Sequence, residues 1–321
     1  MKRASRAALA GVILGIAGMA SYLLGVLLAI PQRLIFYSFI PRVVVEWIVW
    51  YSGVPIAIGI LLILVDIFIF LPTKRRDNFI KYEPLTDRSM TVVLTAYNDE
   101  ESIGEAVRDF KSSSCVKRVI VISNNSVDKT VEVARAAGAT VYNEARQGYG
   151  ACVVRALREG MAYEDTAFTL LCEGDRTFRA YDIDKFLAYS PHADIVNGTR
   201  IVEQLREKDT QLSSFMYYGN FFVGKLLEIK YLGWGTFTDV GTTYKLCRNS
   251  ALRDLLQQLD ASVNLEFNAY FLDKALSLGY KLVECPVTFH KRLGVSKGGN
   301  VNNLAALMVG MKMIYGILIK W

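Results

Sequence analysis

Two carboxylates flank a glycine where an apolar run ends, in the stretch FTLLCEGD at 168–175. Glu173 and Asp175 could perform acid–base chemistry, bind a metal ion or cap a helix, and a solvated turn can have the same composition. Mg²⁺ and Mn²⁺ sites commonly use one or two carboxylates and complete their shell with phosphate oxygens and water. The pair alone is a weak signal, so its value depends on the neighbouring motifs.

Four more polar motifs follow apolar runs, namely TAYNDEES (95–102), SNNSVDKT (123–130), RQGYGA (146–151) and NGTR (197–200). Asn, Asp and Ser can hydrogen-bond a base and a ribose, and they are equally common in turns and helix caps. Paired glycines at the start of a helix let the backbone approach an anion, although a plain loop has the same pattern. An arginine such as Arg200 can bind a phosphate through two N–H groups.

The elements that must position these motifs alternate regularly after residue 85. Short apolar runs are followed by amphipathic stretches, and this alternation predicts an α/β fold with a parallel sheet covered on both faces. Ligands of such sheets bind beyond the carboxyl ends of the strands. Each of the five motifs is expected at one of those ends, so together they predict a single site.

The N-terminal part of the chain has the pattern of a membrane anchor. Residues 7–30 carry no charge, and as a helix this run is long enough to cross ~30 Å of hydrocarbon. A second apolar run covers 47–71. A cleaved signal peptide is disfavoured because the first run is too long and a second one follows. Basic residues before the first run and after the second predict a hairpin with both ends in the cytoplasm.

Composition narrows the classes of function. The 321 residues are 52% hydrophobic and only 21% charged, which indicates membrane contact. The net charge of +6 is modest and no basic arm is present, so a nucleic-acid partner is not expected. The five cysteines are scattered without a CxxC pair, which argues against a zinc site and a disulfide framework.

Two later segments have the composition of amphipathic helices. Residues 207–235 mix aromatics, glycines and lysines, which fits either a helix packed on the sheet or a membrane-surface helix. The apolar stretch 304–319 is short for a span and contains Lys312, so we expect an interfacial helix within 301–321, with a third span as the alternative.

The series AYND, NNSxDxT, QGYGA, EGD and NGTR, in this order and spacing, resembles the family 2 glycosyltransferases with a GT-A fold. FTDVGTTYKLCR (237–248) is similar to the acceptor-side segment of that family. The stretch 264–297 resembles the end of dolichyl-phosphate mannose synthases and their bacterial polyprenyl-phosphate relatives, including an R-x-G-x-S-K loop. The resemblance covers roughly residues 88–300.

Several positions depart from the family pattern. Thr95 replaces a proline, Asp99 replaces a glutamate, and the D-x-D motif begins with Glu173. Glutamate has the same charge as aspartate and a longer reach, so the metal site is expected to survive. The changes leave the donor nucleotide open between UDP and GDP.

The resemblance implies a role for each matching residue. Glu173 and Asp175 are expected to hold Mg²⁺ or Mn²⁺, and Arg200 to bind a lipid phosphate with Ser213 or Ser214. Asp175, Arg200 and Asp239 are the expected catalytic residues; Asp239 would act as a base for a hydroxyl acceptor and otherwise orient sugar or loop. The expected nucleotide-sugar contacts are Thr95, Tyr97, Asp99, Asn124, Gly148, Glu173, Gly174, Asp175, Arg292 and Lys297.

The implied protein is an integral membrane, metal-dependent, inverting glycosyltransferase that moves a sugar from a nucleotide-sugar to a polyprenyl or dolichyl phosphate. Its expected parts are a transmembrane hairpin (1–72), a cytoplasmic GT-A domain (73–300) and a C-terminal interfacial helix (301–321). Two alternatives remain at this point, a lipid hydroxyl as acceptor and a degenerate scaffold that binds a nucleotide-sugar without turnover. Homo-oligomerisation is also left open.

Overall fold

The computed structural model of the chain describes residues 5–34, 40–76, 80–294 and 302–321. It divides into two compact units. The first, which we call the hairpin unit, comprises Ala4–Phe79 and Ile229–Gly233. The second, which we call the sheet unit, comprises Ile80–Glu228 and Trp234–Trp321.

The hairpin unit contains two long apolar helical stretches. The first is α1 (Arg6–Leu34), and the second runs through α2 (Arg42–Tyr51), α3 (Gly53–Val65), a π-helical turn (Asp66–Phe70) and α4 (Leu71–Arg76). Arg6–Leu34 and Arg42–Thr73 are each long and apolar enough to cross a membrane. The predicted pair of N-terminal helices is therefore confirmed.

The two stretches pack closely because small residues lie between them. A Cβ added to Gly11 on α1 would be 2.4 Å from the carbonyl oxygen of Gly59 on α3, a distance that only glycine permits. The buried carboxylate of Asp66 accepts a hydrogen bond from the backbone N–H of Ala8 at 2.8 Å. Asp66 thereby gives an acceptor to the first turn of α1, whose N–H groups have none within the helix.

The sheet unit is built on seven strands in the order β3-β2-β1-β4-β6-β5-β7. Only β6 runs antiparallel to its neighbours, so the sheet is mainly parallel, as predicted. The strands are β1 (Met90–Ala96), β2 (Val116–Ser123), β3 (Thr140–Asn143), β4 (Phe168–Glu173), β5 (Ile195–Thr199), β6 (Lys245–Arg248) and β7 (Leu282–Pro286).

Helices follow most strands. They are α5 (Ile103–Lys111), α6 (Thr130–Ala136), α7 (Tyr149–Met161), α8 (Ile183–Tyr189), α9 (Ser214–Lys230), α10 (Asn249–Gln258), α11 (Phe267–Leu278) and α12 (Asn303–Tyr315), which a π-helical turn extends to Lys320. The amphipathic segments predicted at 207–235 and 301–321 contain α9 and α12. Asn303–Lys320 is also long and apolar enough to cross a membrane.

Both faces of the sheet are covered, and this explains why its central strand is uniformly apolar. Every residue of β1 is buried. Leu94 belongs to the core cluster that contains Ile103 of α5, whereas a Cβ added to Gly160 of α7 would lie 2.8 Å from Val93. Because successive strand residues point to opposite faces, α5 and α7 cover opposite sides of the sheet.

The carboxyl ends of the central strands lie at one level. Thr95 on β1 pairs with Glu173 on β4, so the loops that follow start side by side. The chain then turns sharply through left-handed residues, with φ of 53° at Asn98, 57° at Asn125 and 66° at Arg176. Asparagine tolerates this conformation better than most residues, which accounts for two of the three turns.

Candidate active site

A cavity of about 650 Å³ lies at the carboxyl edge of the sheet, within the sheet unit. Its polar lining comes from the strand ends and the loops after them, from the start of α7, and from asparagines of α9, of α11 and of the loop before α11: Thr95, Tyr97, Asp99, Asn124, Gln147, Gly148, Tyr149, Glu173, Asp175, Arg200, Asn220, Asn264, Asn268 and Arg292. Its apolar lining comes mainly from α9 and α12: Leu212, Phe215, Met216, Phe222, Val223, Leu307, Val309, Met311, Met313 and Ile314. Most of the predicted site residues therefore border one cavity.

The loops after β1 and β2 brace each other. The Asn98 side-chain oxygen accepts the backbone N–H of Val127 at 2.8 Å, and Ser126 Oγ accepts the N–H of Asn98 at 3.0 Å. Thr130 Oγ1 accepts the N–H of Asp99 at 2.8 Å. The polar residues of these two motifs thus satisfy the backbone of two tight turns and fix Asp99 in the lining.

Asn124 holds the loop that leads into α7. Its Nδ2 donates to the carbonyl oxygens of Glu144 at 3.1 Å and Arg146 at 2.8 Å, and its Oδ1 accepts the N–H of Gly148 at 2.8 Å. Gly148 has a φ of 139°, which glycine adopts without strain. Asn124 borders the cavity, and its amide also shapes the glycine loop.

Neighbouring hydroxyls fix the two predicted metal ligands. Thr243 Oγ1 donates to Glu173 Oε1 at 2.7 Å, and Asp175 Oδ1 accepts the N–H and O–H of Thr177 at 3.0 and 2.7 Å. Burial, reinforced by the charge of Glu173, raises the pKa of Asp175 to about 6, although Arg292 opposes the shift. The two acidic side chains therefore form a region of concentrated negative charge.

The carboxylates of Glu173 and Asp175 fit a metal ion whose remaining ligands come from the bound substrate and from water. Among the residues that the structure describes, no three His, Cys, Asp or Glu side chains form a metal-binding group. Glu173 and Asp175 both border the cavity, and two carboxylates with phosphate oxygens and water suit Mg²⁺ or Mn²⁺. A self-sufficient site, such as one for structural zinc, would need more protein ligands than this pair.

Arg292 bridges carboxylates from two strand ends. Its Nη2 lies 2.9 Å from Asp99 Oδ1 and its Nη1 lies 3.2 Å from Asp175 Oδ2. The backbone N–H of Leu293 donates to the carbonyl oxygen of Asp175 at 3.3 Å, which ties the loop to the end of β4. Lys297, predicted on the same loop, lies outside the described residues.

Arg200 is aligned by a buried carboxylate. Its Nε lies 2.7 Å from Asp239 Oδ2 and its Nη2 lies 2.8 Å from Asp239 Oδ1, a two-pronged pair. Although burial raises the pKa of Asp239, Arg200 and the N–H of Gly241 outweigh burial and keep that pKa below its usual value. Asp239 does not border the cavity, so the structure places this predicted base behind Arg200.

Three other predicted residues do not line the cavity. A Cβ added to Gly174 would lie 2.4 Å from Ile103, so this glycine allows close packing. Ser213 Oγ accepts the N–H of Met216 at 3.3 Å and caps the start of α9. Neither Ser213 nor Ser214 is brought into the lining beside Arg200.

A hydrogen-bonded group beside Glu173, with Tyr149 and Asn268 in the lining of the cavity, was not predicted. The Tyr149 hydroxyl lies 2.5 Å from Thr243 Oγ1 and accepts from Asn268 Nδ2 at 3.0 Å. Tyr149 and Thr243 stand inside motifs that the sequence singles out, but nothing in those motifs shows that they meet. Asn268 lies on α11 within the stretch 264–297, where the sequence does not mark it as a site residue, so only the tertiary fold reveals it.

Known proteins are similar to this chain in sequence and in fold. The model of "Glycosyl transferase family 2" matches residues 91–256, more than half of the chain. A dolichyl-phosphate hexose transferase of Haloferax volcanii is 27% identical over 209 residues, which are 65% of this chain and 86% of that protein. Glycosyltransferase AglJ of the same organism is 23% identical over 209 residues, 64% of this chain and 65% of AglJ.

Solved structures show the same architecture. Glucosyl-3-phosphoglycerate synthase from Mycobacterium tuberculosis, in complex with Mn²⁺ and UDP-glucose, superimposes with a TM-score of 0.54 at 15% identity over 73% of this chain and 80% of the other. At this identity the likeness concerns the GT-A fold alone. The family match over residues 91–256 shows that the chain belongs to glycosyl transferase family 2.

Proposed function

We propose that this glycosyltransferase moves a sugar from a nucleotide-sugar to a polyprenyl or dolichyl phosphate. One observation carries the proposal: a single cavity joins the carboxylates and Arg200 to an apolar stretch lined by α9 and α12. A nucleotide-sugar needs the polar part, and an isoprenoid phosphate needs a cation next to an apolar wall.

The donor fits the polar end of the cavity. Tyr97 keeps 39% of its surface exposed and offers a ring for a base, while the Asp99 carboxylate stands beside it. Arg292, already held between two carboxylates, supplies positive charge for a diphosphate. The dolichyl-phosphate hexose transferase of Haloferax volcanii and the mycobacterial synthase in complex with Mn²⁺ and UDP-glucose are consistent with such a donor.

Glu173 and Asp175 are the residues that would hold Mg²⁺ or Mn²⁺. A divalent cation bound there supplies positive charge that stabilises a leaving diphosphate. Thr243 and Thr177 keep the two carboxylates oriented toward the cavity, and Arg292 adds a fixed cation beside them. These protein groups are in place before any substrate binds.

The lipid-phosphate acceptor fits Arg200 and the apolar part of the cavity. Arg200 is almost fully buried and its guanidinium is pre-oriented, so it can bind a phosphate without losing much side-chain freedom. Apolar side chains such as Met216 and Val223 then suit the isoprene units next to the phosphate. A cavity of about 650 Å³ holds a ligand of drug size, so the rest of a long polyprenyl chain would extend beyond it.

A phosphate acceptor also fits the position of Asp239, the candidate base for a hydroxyl acceptor, which does not border the cavity. A phosphomonoester has a second pKa of ~6 and is largely ionised at neutral pH. Its oxygen can therefore attack the anomeric carbon directly while the bond to the diphosphate breaks, which inverts that carbon and releases a nucleoside diphosphate. Asp239, the candidate base for a hydroxyl acceptor, is buried and committed to Arg200.

The proposed location is the cytoplasmic face of a membrane. Three helical stretches are long and apolar enough to span one within the described residues. The basic residues at both flanks of the hairpin favour cytoplasmic ends, which would put the sheet unit there. A homo-oligomer stays a prediction.

The test is the identity of the product. Membranes containing the protein are incubated with radiolabelled UDP- and GDP-sugars, and the lipid extract is analysed by mass spectrometry. We expect a sugar on polyprenyl or dolichyl phosphate. A neutral glycolipid would instead indicate a hydroxyl acceptor, and the absence of any product across the donors would indicate a scaffold without turnover.

A further inference from the structure

Glu284 lies on β7 and anchors the segment that carries Asp239. Its Oε2 accepts the backbone N–H of Thr238 at 2.8 Å and the Thr238 hydroxyl at 2.7 Å. Its Oε1 accepts the backbone N–H of Asp239 at 3.1 Å. One carboxylate thus satisfies three donors on two consecutive residues.

The anchored residues belong to an irregular segment between α9 and β6. Backbone N–H groups in such a segment need acceptors from elsewhere in the fold, because no strand or helix supplies them. The segment is also held from β5, where Asn197 Nδ2 donates to the carbonyl oxygen of Asp239 at 3.0 Å. Since Asn197 and Glu284 are paired across β5 and β7, both anchors come from neighbouring strands.

The segment matters because Asp239 carries the carboxylate that aligns Arg200. Both Asp239 oxygens receive the guanidinium, at 2.7 and 2.8 Å, and Oδ2 also receives the backbone N–H of Arg200 at 3.1 Å. Glu284 itself does not border the cavity. The bonds from Glu284 to Asp239 and from Asp239 to Arg200 connect it to the lining of the cavity.

We propose that Glu284 is a positioning residue for Arg200: it fixes the backbone at Thr238 and Asp239 so that the Asp239 carboxylate presents the guanidinium to the acceptor phosphate. The inference rests on the proposed function, in which Arg200 binds that phosphate. It extends the site to β7, at the far edge of the sheet from β3.

The informative variant is Glu284→Gln, which keeps the shape of the side chain. An amide has one acceptor oxygen and presents an NH₂ group to an N–H donor, so at least one anchor is lost. Burial raises the pKa of Glu284 to about 7, so binding is measured at about pH 8, where the native side chain is ionised. The probes are farnesyl phosphate for the acceptor and UDP with Mn²⁺ for the donor.

We expect Glu284→Gln to weaken farnesyl phosphate binding by about tenfold, the scale of one charge-assisted hydrogen bond, and to leave UDP binding unchanged. In an Arg200→Ala background, Glu284→Gln should have no further effect on farnesyl phosphate. An effect of the same size in both backgrounds would overturn the inference, because Glu284 would then act independently of Arg200.

Asp182 provides a matched control. Its Oδ2 accepts the N–H and hydroxyl of Thr288 at 2.8 and 2.7 Å, which is the same anchor that Glu284 Oε2 makes to Thr238. Asp182→Asn should lower thermal stability and leave farnesyl phosphate binding unchanged.

If Glu284→Gln fails to fold, Thr238→Val removes one bond of the anchor and should cause a smaller loss of acceptor affinity.

Two readouts separate failure of the inference from failure of the proposed function. Non-additive melting temperatures for Glu284→Gln and Arg200→Ala report the structural link, and farnesyl phosphate affinity reports its consequence. Weakened binding in Arg200→Ala but not in Glu284→Gln would overturn the inference alone. Coupled melting temperatures with unchanged affinity in both variants would support the link and contradict the acceptor role of Arg200.

Discussion

Each arginine in the lining of the cavity is oriented by carboxylates. Arg200 pairs with Asp239, and Arg292 lies between Asp99 and Asp175. The sequence predicts these charged residues because they end strands in recognisable motifs. It does not predict their pairing, since contacts between residues 39 or 193 positions apart depend on strand order.

At the residue scale, Asp175→Asn tests the role of the acidic pair. Asparagine keeps the size of the side chain and removes its charge, so we expect transfer to fall by a factor of about 100 or more, as when a stabilising electrostatic group is lost. The fold should persist, because burial already disfavours the ionised form of Asp175 and raises its pKa. Turnover and the melting temperature in detergent check the two expectations.

Chelation is the control for that variant. Removal of divalent cations should reduce wild-type transfer to the level of Asp175→Asn, and added Mn²⁺ or Mg²⁺ should restore only the wild type. Near-normal turnover of Asp175→Asn would contradict the assignment of the metal site.

At the scale of elements, alternating strands and helices were enough to predict the mainly parallel sheet. The position of β6 between β4 and β5 was not predicted, because hydrophobic periodicity identifies a buried strand without giving its direction or neighbours. The same limit applies to α9 and α12. Their amphipathic composition was predicted, but their shared contribution to one cavity emerges only from the fold.

Gly310 on α12 offers a test of the apolar part of the cavity. It borders the cavity, and a Cβ added to it would meet nothing within 4 Å. Gly310→Leu should therefore fold normally and weaken farnesyl phosphate binding by about tenfold, because the added side chain occupies space that the isoprenoid needs. Affinity for UDP with Mn²⁺ should not change.

Gly310→Ala serves as the comparison for the leucine variant. It adds one methyl group and improves helix propensity, so stability should rise slightly while acceptor affinity stays close to that of the wild type. Equal farnesyl phosphate affinity in the leucine variant and the wild type would contradict the proposed path of the lipid chain.

At the scale of the whole molecule, the order and spacing of five short motifs carry the resemblance to family 2 glycosyltransferases, and the family match over residues 91–256 confirms it. The N-terminal anchor followed from two apolar runs, and the structure gives helices of suitable length at both. Flanking charge alone predicts on which side of the membrane the sheet unit lies, because contacts within the chain do not encode that side.

Membrane orientation can be measured with engineered cysteines in a Cys115→Ser background, since the other four cysteines are buried. Val127 is 90% exposed on the sheet unit, and Arg42 is exposed at the start of the second apolar stretch. A membrane-impermeant thiol reagent should label Arg42→Cys in intact cells and Val127→Cys only after permeabilisation. The reverse pattern would contradict a cytoplasmic sheet unit.

The most direct measurement of the central claim compares two ligands on one variant. Farnesyl phosphate and UDP with Mn²⁺ are titrated against the wild type and Arg200→Ala, because Arg200 borders the same cavity as the carboxylates and the apolar residues of α9 and α12. We predict a loss of about tenfold or more in farnesyl phosphate affinity, with UDP affinity unchanged. A loss of UDP affinity with farnesyl phosphate binding intact would contradict the account and assign Arg200 to the donor.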